Sequence, residues 1–182
     1  MTKSSFLILV FFLGVLNSQA QVFMTNTAKV QFFSETPVEN ISAVNSSVAS
    51  LINSKTDSVF FKMKNTSFVF KNALMQDHFN ENYMESQQYP FSTFKGKLNE
   101  AIDFSKDGVY PVSVSGKMAI HGVERPVTAT GQITVKDNKV TLASEILVRT
   151  ADYKIEVPKL VFQKIAQEIK INISGLYLPL KN

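Results

Sequence analysis

The chain has 182 residues, of which 45% are hydrophobic and 19% are charged, and its formal net charge is +4. That length and mix suit one globular domain with a substantial core, and they exclude a disordered or collagen-like chain. The sequence contains no cysteine, which excludes disulfides, thiolate catalysis, zinc ribbons and iron–sulfur clusters.

The first twenty residues have the pattern of a secretory signal peptide. Lys3 supplies a positive N-terminal region, an eleven-residue apolar run covers Phe6–Leu16, and Ser18 and Ala20 put small residues before the cleavage site. The apolar run is shorter than the roughly twenty residues that a membrane-spanning helix needs. We therefore expect cleavage near Ala20, a mature domain over 21–182 and a periplasmic or secreted location, without stable insertion into a membrane.

Most of the remaining sequence alternates between apolar and polar residues with a period of two, which is typical of half-buried β-strands. The Asp137–Asn138 pair predicts a tight hairpin turn, and the segment 105–108 predicts a second turn, in which Gly108 is free to take a positive φ. About eight strands are predicted in this way. They lie near 22–34, 43–54, 57–71, 91–104, 109–121, 126–136, 139–150 and 167–178.

The segment 73–86 breaks this alternation and predicts a helix. Three large residues recur there every four positions, which places them on one helix face: Met75, Phe79 and Tyr83. Asn72 or Asp77 could cap its start, and a weaker helical turn is predicted between Pro158 and Ala166. Many antiparallel strands, short turns and one or two short helices predict an all-β-dominated fold, either a closed barrel or a sandwich.

Residues that could carry catalysis or bind a metal form no recognisable pattern. His78 and His121 lack the spacing of a metal-binding pair, and the sequence has no nucleophile elbow and no phosphate-binding loop. Carboxylate pairs such as Asp77 with Glu81 do not differ from solvated carboxylates. The lysines are scattered, without the interleaved aromatics that a nucleic-acid surface needs. We therefore expect no enzyme, no metal or cofactor site and no nucleic-acid partner.

Aromatic residues are concentrated between positions 60 and 94, where nine of them fall. Such residues commonly pack in a core, so one interpretation is a barrel interior filled by its own side chains. In the other interpretation they line an elongated apolar pocket for an oily ligand, together with Met63, Met75 and Met84. Composition does not decide between the two.

Three motifs, in this order along the chain, resemble those of the YceI-like family: 74–97, 116–128 and 149–155. The first contains a histidine, several aromatic residues, a Tyr-Pro pair and a strand with the sequence Ser-Thr-Phe-Lys-Gly. The resemblance implies a secreted or periplasmic, lipocalin-like barrel of eight antiparallel strands. Some members of the family hold a polyisoprenoid chain in the barrel interior. Glu124 and Lys154 depart from the family pattern, as does the first strand, where Lys29 and Gln31 lie near the usual polar positions.

From this resemblance we expect a non-catalytic binding protein for an isoprenoid or similar long-chain lipid. The residues expected to contact the apolar tail are Phe61, Met63, Phe68, Phe70, Phe79, Tyr83, Phe94 and Met118. His78 and Arg149 are expected at the polar end of the ligand. The alternative is a structural or stress-response barrel without a ligand, and an enzyme acting on a lipid would need a polar cluster facing the cavity. A homodimer is left open.

Overall fold

A computed structural model describes residues 21–158 and 164–180, so the predicted signal peptide and the middle of the predicted turn at 158–166 lie outside it. Within these ranges the chain forms nine β-strands. Their bounds are β1 (Val22–Glu35), β2 (Asn40–Asn53), β3 (Ser58–Lys64), β4 (Val69–Phe70), β5 (Phe91–Leu98), β6 (Gly108–Ile120), β7 (Val123–Lys136), β8 (Lys139–Arg149) and β9 (Glu168–Pro179).

Eight of these strands close into an antiparallel barrel. Each pairs with its neighbour along the chain, and β1 closes the ring by pairing with β2 on one side and with β9 on the other. The two-residue β4 lies outside the ring and adds only to β2. The predicted eight-stranded barrel is therefore confirmed, and the sandwich is excluded, because no edge remains between the first and last strands.

Two tight turns join the central hairpins. Asp137 and Asn138 have φ values of 50° and 56° and connect β7 to β8, as predicted from that pair. His121 and Gly122, at 50° and 69°, connect β6 to β7 in the same way. The second predicted turn lies slightly earlier in the chain, where the backbone nitrogen of Lys106 donates to the carbonyl oxygen of Asp103 (3.1 Å). Gly108 does not use the positive φ that is open to it, because it already pairs with β7 as the first residue of β6.

The predicted strand at 57–71 is interrupted in the structure. After β3, residues Asn65–Ser67 form a single 3-10 turn before β4 begins. Asn65 is fully buried, and its side chain donates a hydrogen bond to the carbonyl oxygen of Tyr89 (2.6 Å) and accepts one from the hydroxyl of Ser92 (2.8 Å). Such side-chain bonds compete with the strand ladder for the backbone, which ends β3 at this point.

The predicted helix is present but shorter than expected. Helix α1 covers Ala73–His78, and a wider π-helical turn continues it over Phe79–Tyr83. The Asn72 side chain accepts a hydrogen bond from the backbone nitrogen of Leu74 (2.8 Å), so Asn72 is the N-cap and Asp77 is not.

One end of the barrel, which we call the closed end, is filled by side chains where β1 begins and β9 finishes. Phe23 stacks on Phe104 with 5.5 Å between ring centroids, beside the fully buried Tyr177. The Tyr177 hydroxyl donates to the hydroxyl of Ser50 (2.9 Å), which donates in turn to the carbonyl oxygen of Phe60 (2.8 Å). Burial raises the pKa of Tyr177 to about 12.

This raised pKa predicts a loss of stability at alkaline pH. Below pH 10 the phenol is neutral in both states, whereas between pH 10 and about 12 it ionises only in the unfolded chain. The free energy of unfolding should therefore fall by about 1.4 kcal/mol per pH unit in that window on account of this residue. The measurement is urea unfolding between pH 9 and pH 12 for the wild type and Tyr177→Phe.

Tyr177→Phe should show the smaller alkaline slope. Burial also raises the pKa of Tyr83 and Tyr153, but both residues are present in each protein, so the difference between the two slopes reports on Tyr177. Parallel curves for the two proteins would contradict the prediction.

Candidate functional site

The other end of the barrel, which we call the open end, holds a cavity of about 470 Å³. Its wall consists of inward-facing side chains of the barrel strands, and α1 with the following π-helical turn packs across it. Alternation along each strand explains the wall, because every second residue points into the barrel. The lining is mainly aliphatic and aromatic.

The structure brings all eight residues predicted for the apolar tail into the lining of this cavity. Four come from barrel strands: Phe61 and Met63 on β3, Phe94 on β5 and Met118 on β6. The other four, from the segment between β3 and β5, are Phe68, Phe70, Phe79 and Tyr83. Their common location is a finding, while their contact with a ligand stays a prediction.

Four phenylalanine rings cluster at the open end. Phe32 packs against Phe68, Phe70 and Phe79, with centroid separations between 5.0 and 5.6 Å across the cluster. Offset and edge-on contacts of this kind stabilise ring pairs beyond simple burial. Phe32 was not among the predicted site residues, although its alternation with Val30 and Ser34 on β1 was the signal that could have placed it inside.

Polar groups in the cavity are uncharged except at its rim. Among the described lining residues, the charged side chains are Glu39 and Lys164, which pair at 3.9 Å. The Ser34 hydroxyl accepts a hydrogen bond from the backbone nitrogen of Ala166 (2.8 Å), which joins the segment after Lys164 to the end of β1. Burial raises the pKa of Tyr83, so its phenol stays neutral over the usual pH range. The site therefore offers hydroxyls inside and opposite charges at the rim.

The two residues predicted for the polar end have different positions. His78, the last residue of α1, lines the cavity. Arg149 does not, because Val148 points into the barrel and the next residue on β8 must point outward. The Arg149 side chain is 64% exposed, and its Nε lies 3.4 Å from a carboxylate oxygen of Glu168.

His121 joins three segments outside the cavity lining. Its Nε2 lies 2.6 Å from a carboxylate oxygen of Glu85, and its Nδ1 lies 3.2 Å from the carbonyl oxygen of Tyr153. The edge of the Tyr89 ring packs against the imidazole at 4.8 Å between centroids. The histidine thus meets a carboxylate, but away from the cavity, where it ties the segment before β5 to the β6–β7 turn. The sequence motif around His121 gave no sign of this contact.

The described ranges contain no group of three or more histidine, aspartate or glutamate side chains that could hold a metal ion. None of their helices is both long enough and apolar enough to cross a bilayer.

The sequence model of one protein family, described as the YceI-like domain, matches residues 17–175. None of the curated proteins matches the chain. Several solved structures share its fold. One is a polyisoprenoid binding domain from Saccharophagus degradans implicated in plant cell wall breakdown, with a TM-score of 0.75, 13% identity, and coverage of 89% of this chain and 100% of that one.

Two other structures are similar over most of their length. BcnA of Burkholderia cenocepacia aligns with a TM-score of 0.69 and 16% identity, covering 82% of this chain and 95% of its own. A Campylobacter jejuni YCEI protein aligns with a TM-score of 0.57 and 15% identity over 100% of both chains. At these identities the likeness concerns the fold.

Proposed function

Because the chain belongs to the YceI-like family, we propose that it is a non-catalytic binding protein that holds an isoprenoid or similar long-chain apolar lipid in the barrel cavity. One observation carries this proposal: the open end of the barrel holds a cavity of about 470 Å³ with a mainly apolar lining. The pattern of residues 1–20 supports a periplasmic or secreted location. The polyisoprenoid binding domain of similar fold supports the class of ligand.

The affinity of such a site comes mainly from removing apolar surface from water. Each 100 Å² of ligand surface buried against these side chains contributes about 2.5 kcal/mol before the losses of ligand freedom are subtracted. Apolar contacts carry little directional information, so polar groups must set the orientation. The rim supplies them in Glu39, Lys164 and His78, which favours a lipid tail inside the barrel and a polar end at the opening.

Native mass spectrometry of the mature protein tests the proposal. The protein is mixed in turn with farnesol, a long-chain prenyl quinone and undecaprenyl phosphate, and we expect a one-to-one adduct with at least one of them. An unchanged apo mass with every probe, for a protein that is folded by circular dichroism, would instead support a barrel without a ligand.

A cavity-filling variant tests whether the bound ligand lies inside the barrel. Ala129 lines the cavity from β7, and Ala129→Phe adds a ring to that space, which should weaken binding roughly tenfold to a hundredfold. Ala119 lies on β6 with its side chain outside the lining, so Ala119→Phe is the matched control and should bind as the wild type does. Equal weakening in both variants would contradict a site inside the barrel.

A further inference from the structure

The outward faces of β2, β3, β5 and β6 form one continuous surface, which we call the basic wall. Cross-strand register places Leu51, Phe60, Lys95 and Lys117 side by side in a single row across the four strands. Neighbouring positions in such a row lie about 5 Å apart, so these side chains act as one surface rather than as separate residues.

The charged residues on the strands of the basic wall are all positive. The four strands contain five lysines and no acidic residue: Lys62, Lys64, Lys95, Lys97 and Lys117. Lys117 pairs with Glu124 of β7 at 2.8 Å, while within the described part of the chain no carboxylate pairs with the other four. The sequence predicted scattered lysines without neighbouring aromatics. The fold instead gathers them, because β3 and β5 pair across the helix that separates them in the chain.

Aromatic and aliphatic side chains are interleaved with these charges. The ammonium of Lys62 lies 4.1 Å from the ring centre of Phe91, and that of Lys95 lies 5.9 Å from the ring centre of Phe60. Both rings point out of the barrel, and Phe91 is 45% exposed. These lysines therefore lie over exposed apolar surface and can contact it with their aliphatic stems.

The same row continues as apolar surface on the other side of Phe60. In register order it runs from Phe60 and Leu51 to Met24 on β1 and Leu178 on β9. Leu178 is about half exposed, as are Leu176 and Leu180 beside it. We call this continuation the apolar row. Contiguous exposed apolar residues, unlike apolar residues scattered singly over a surface, are typical of a surface that meets a partner.

We propose that the basic wall and the apolar row together dock on the surface of an anionic lipid bilayer. Lysine ammonium groups attract anionic headgroups, while leucine, methionine and phenylalanine side chains gain free energy at the boundary between headgroups and acyl chains. The wall extends along the barrel from Lys97 near the closed end to Lys64 near the open end. The barrel would lie on its side, with its open end unobstructed.

The composition of this surface favours lipid over nucleic acid. The four strands contain no arginine, the residue that nucleic-acid sites use for bidentate contacts. The aliphatic side chains of Leu51, Met24 and Leu178 also have no role in base stacking, whereas they suit the edge of a hydrocarbon layer. This docking concerns the outer surface and is independent of what the cavity holds.

Vesicle co-sedimentation tests the docking. The protein is mixed with vesicles of phosphatidylcholine alone or of phosphatidylcholine with about 30% phosphatidylglycerol, in about 50 mM and about 500 mM salt. We expect binding to the phosphatidylglycerol vesicles in low salt and its loss in high salt or without the anionic lipid. No binding to either vesicle in low salt would overturn the proposal.

Paired lysine variants locate the contact. Lys95→Gln/Lys97→Gln should weaken vesicle binding about 25-fold, since each lysine near an anionic surface is worth roughly fivefold. Lys136→Gln/Lys139→Gln changes the net charge equally on the β7–β8 hairpin and should alter binding less than about twofold. Leu178→Gln should also weaken binding, by removing part of the apolar row.

Three further results would overturn the proposal. Equal losses in the two lysine pairs would mean that net charge alone drives binding. Tighter binding to a DNA duplex than to vesicles, abolished by Lys95→Gln/Lys97→Gln, would assign the wall to nucleic acid. A dimer in sedimentation velocity that Leu178→Gln disrupts would assign the apolar row to a second copy of the chain. None of these results depends on the prenyl probes, so they leave the test of the cavity separate.

Discussion

Replacing Asn65 with alanine is expected to lower the free energy of unfolding by about 4 kcal/mol, the largest single effect that we foresee. The amide is fully buried and joins three parts of the chain through the carbonyl oxygen of Tyr89, the hydroxyl of Ser92 and the 3-10 turn that follows β3. Alanine leaves the first two groups without this partner in a buried site. Each such group costs about 1–3 kcal/mol, and the lost volume adds to that.

Urea unfolding followed by circular dichroism measures this effect. Asn99 is the matched control, because its amide also makes two hydrogen bonds but lies on an exposed surface. It donates both of them, to the hydroxyls of Ser113 (2.8 Å) and Ser115 (3.0 Å). Asn99→Ala should cost less than about 1 kcal/mol, since water replaces the lost partner. If the two variants were destabilised equally, burial would not be the source of the Asn65 effect.

The second large effect is expected at Gly116 on β6, which pairs with Gly96 on β5. A Cβ atom at this position would overlap the carbonyl oxygen of Lys95 and the Cα atom of Gly96 on the facing strand. Both are backbone atoms, so relief requires the two strands to move apart. Gly116→Val should therefore lower the free energy of unfolding by about 3 kcal/mol.

Gly108 provides the control on the same strand. The three atoms nearest to a Cβ there all belong to the side chain of Tyr110, at 3.1 Å or more, and none of them is a backbone atom. Gly108→Ala should change stability by less than about 1 kcal/mol, or increase it slightly by restricting the unfolded chain. Thermal unfolding of both variants measures the two changes in stability. A Gly116→Val protein as stable as the wild type would show that β5 and β6 can separate without cost.

Much of the fold could be predicted from the sequence, because a half-buried strand leaves a period of two that needs no knowledge of its partners. The hairpin at Asp137–Asn138 could also be predicted from a short stretch of sequence, since the residue pair itself favours a positive φ. Closure of the barrel could not be predicted in this way. The same strands fit a sandwich, and only the pairing of β1 with β9 distinguishes the two arrangements. The break after β3 escaped prediction because it rests on contacts of Asn65 with residues far along the chain.

In the candidate site, too, some residue positions follow from a local sequence pattern and others do not. Residues such as Phe61 and Phe94 lie in the barrel interior because every second residue of a strand faces inward. The neighbouring Phe60 faces outward, so a large apolar side chain does not by itself fix the face. Arg149 lies in the motif at 149–155, and membership of a motif does not say which face of a strand a residue occupies. The contact of His121 with Glu85 joins two turns that are distant in sequence, and no local pattern reports such a contact.

We expect the seam, the pairing of β1 with β9, to be the last part of the barrel to form. Every other pairing in the ring joins successive strands of the barrel, and even the longest of these connections, between β3 and β5, is short compared with the separation of β1 and β9 along the chain. The seam joins residues from opposite ends of the chain, such as Val30 and Ile173, and its register shifts between Met24 and Lys29. Contacts of such long range carry the highest entropic cost and limit the folding rate. Until they form, the sheet remains an open ribbon whose future interior is in contact with water.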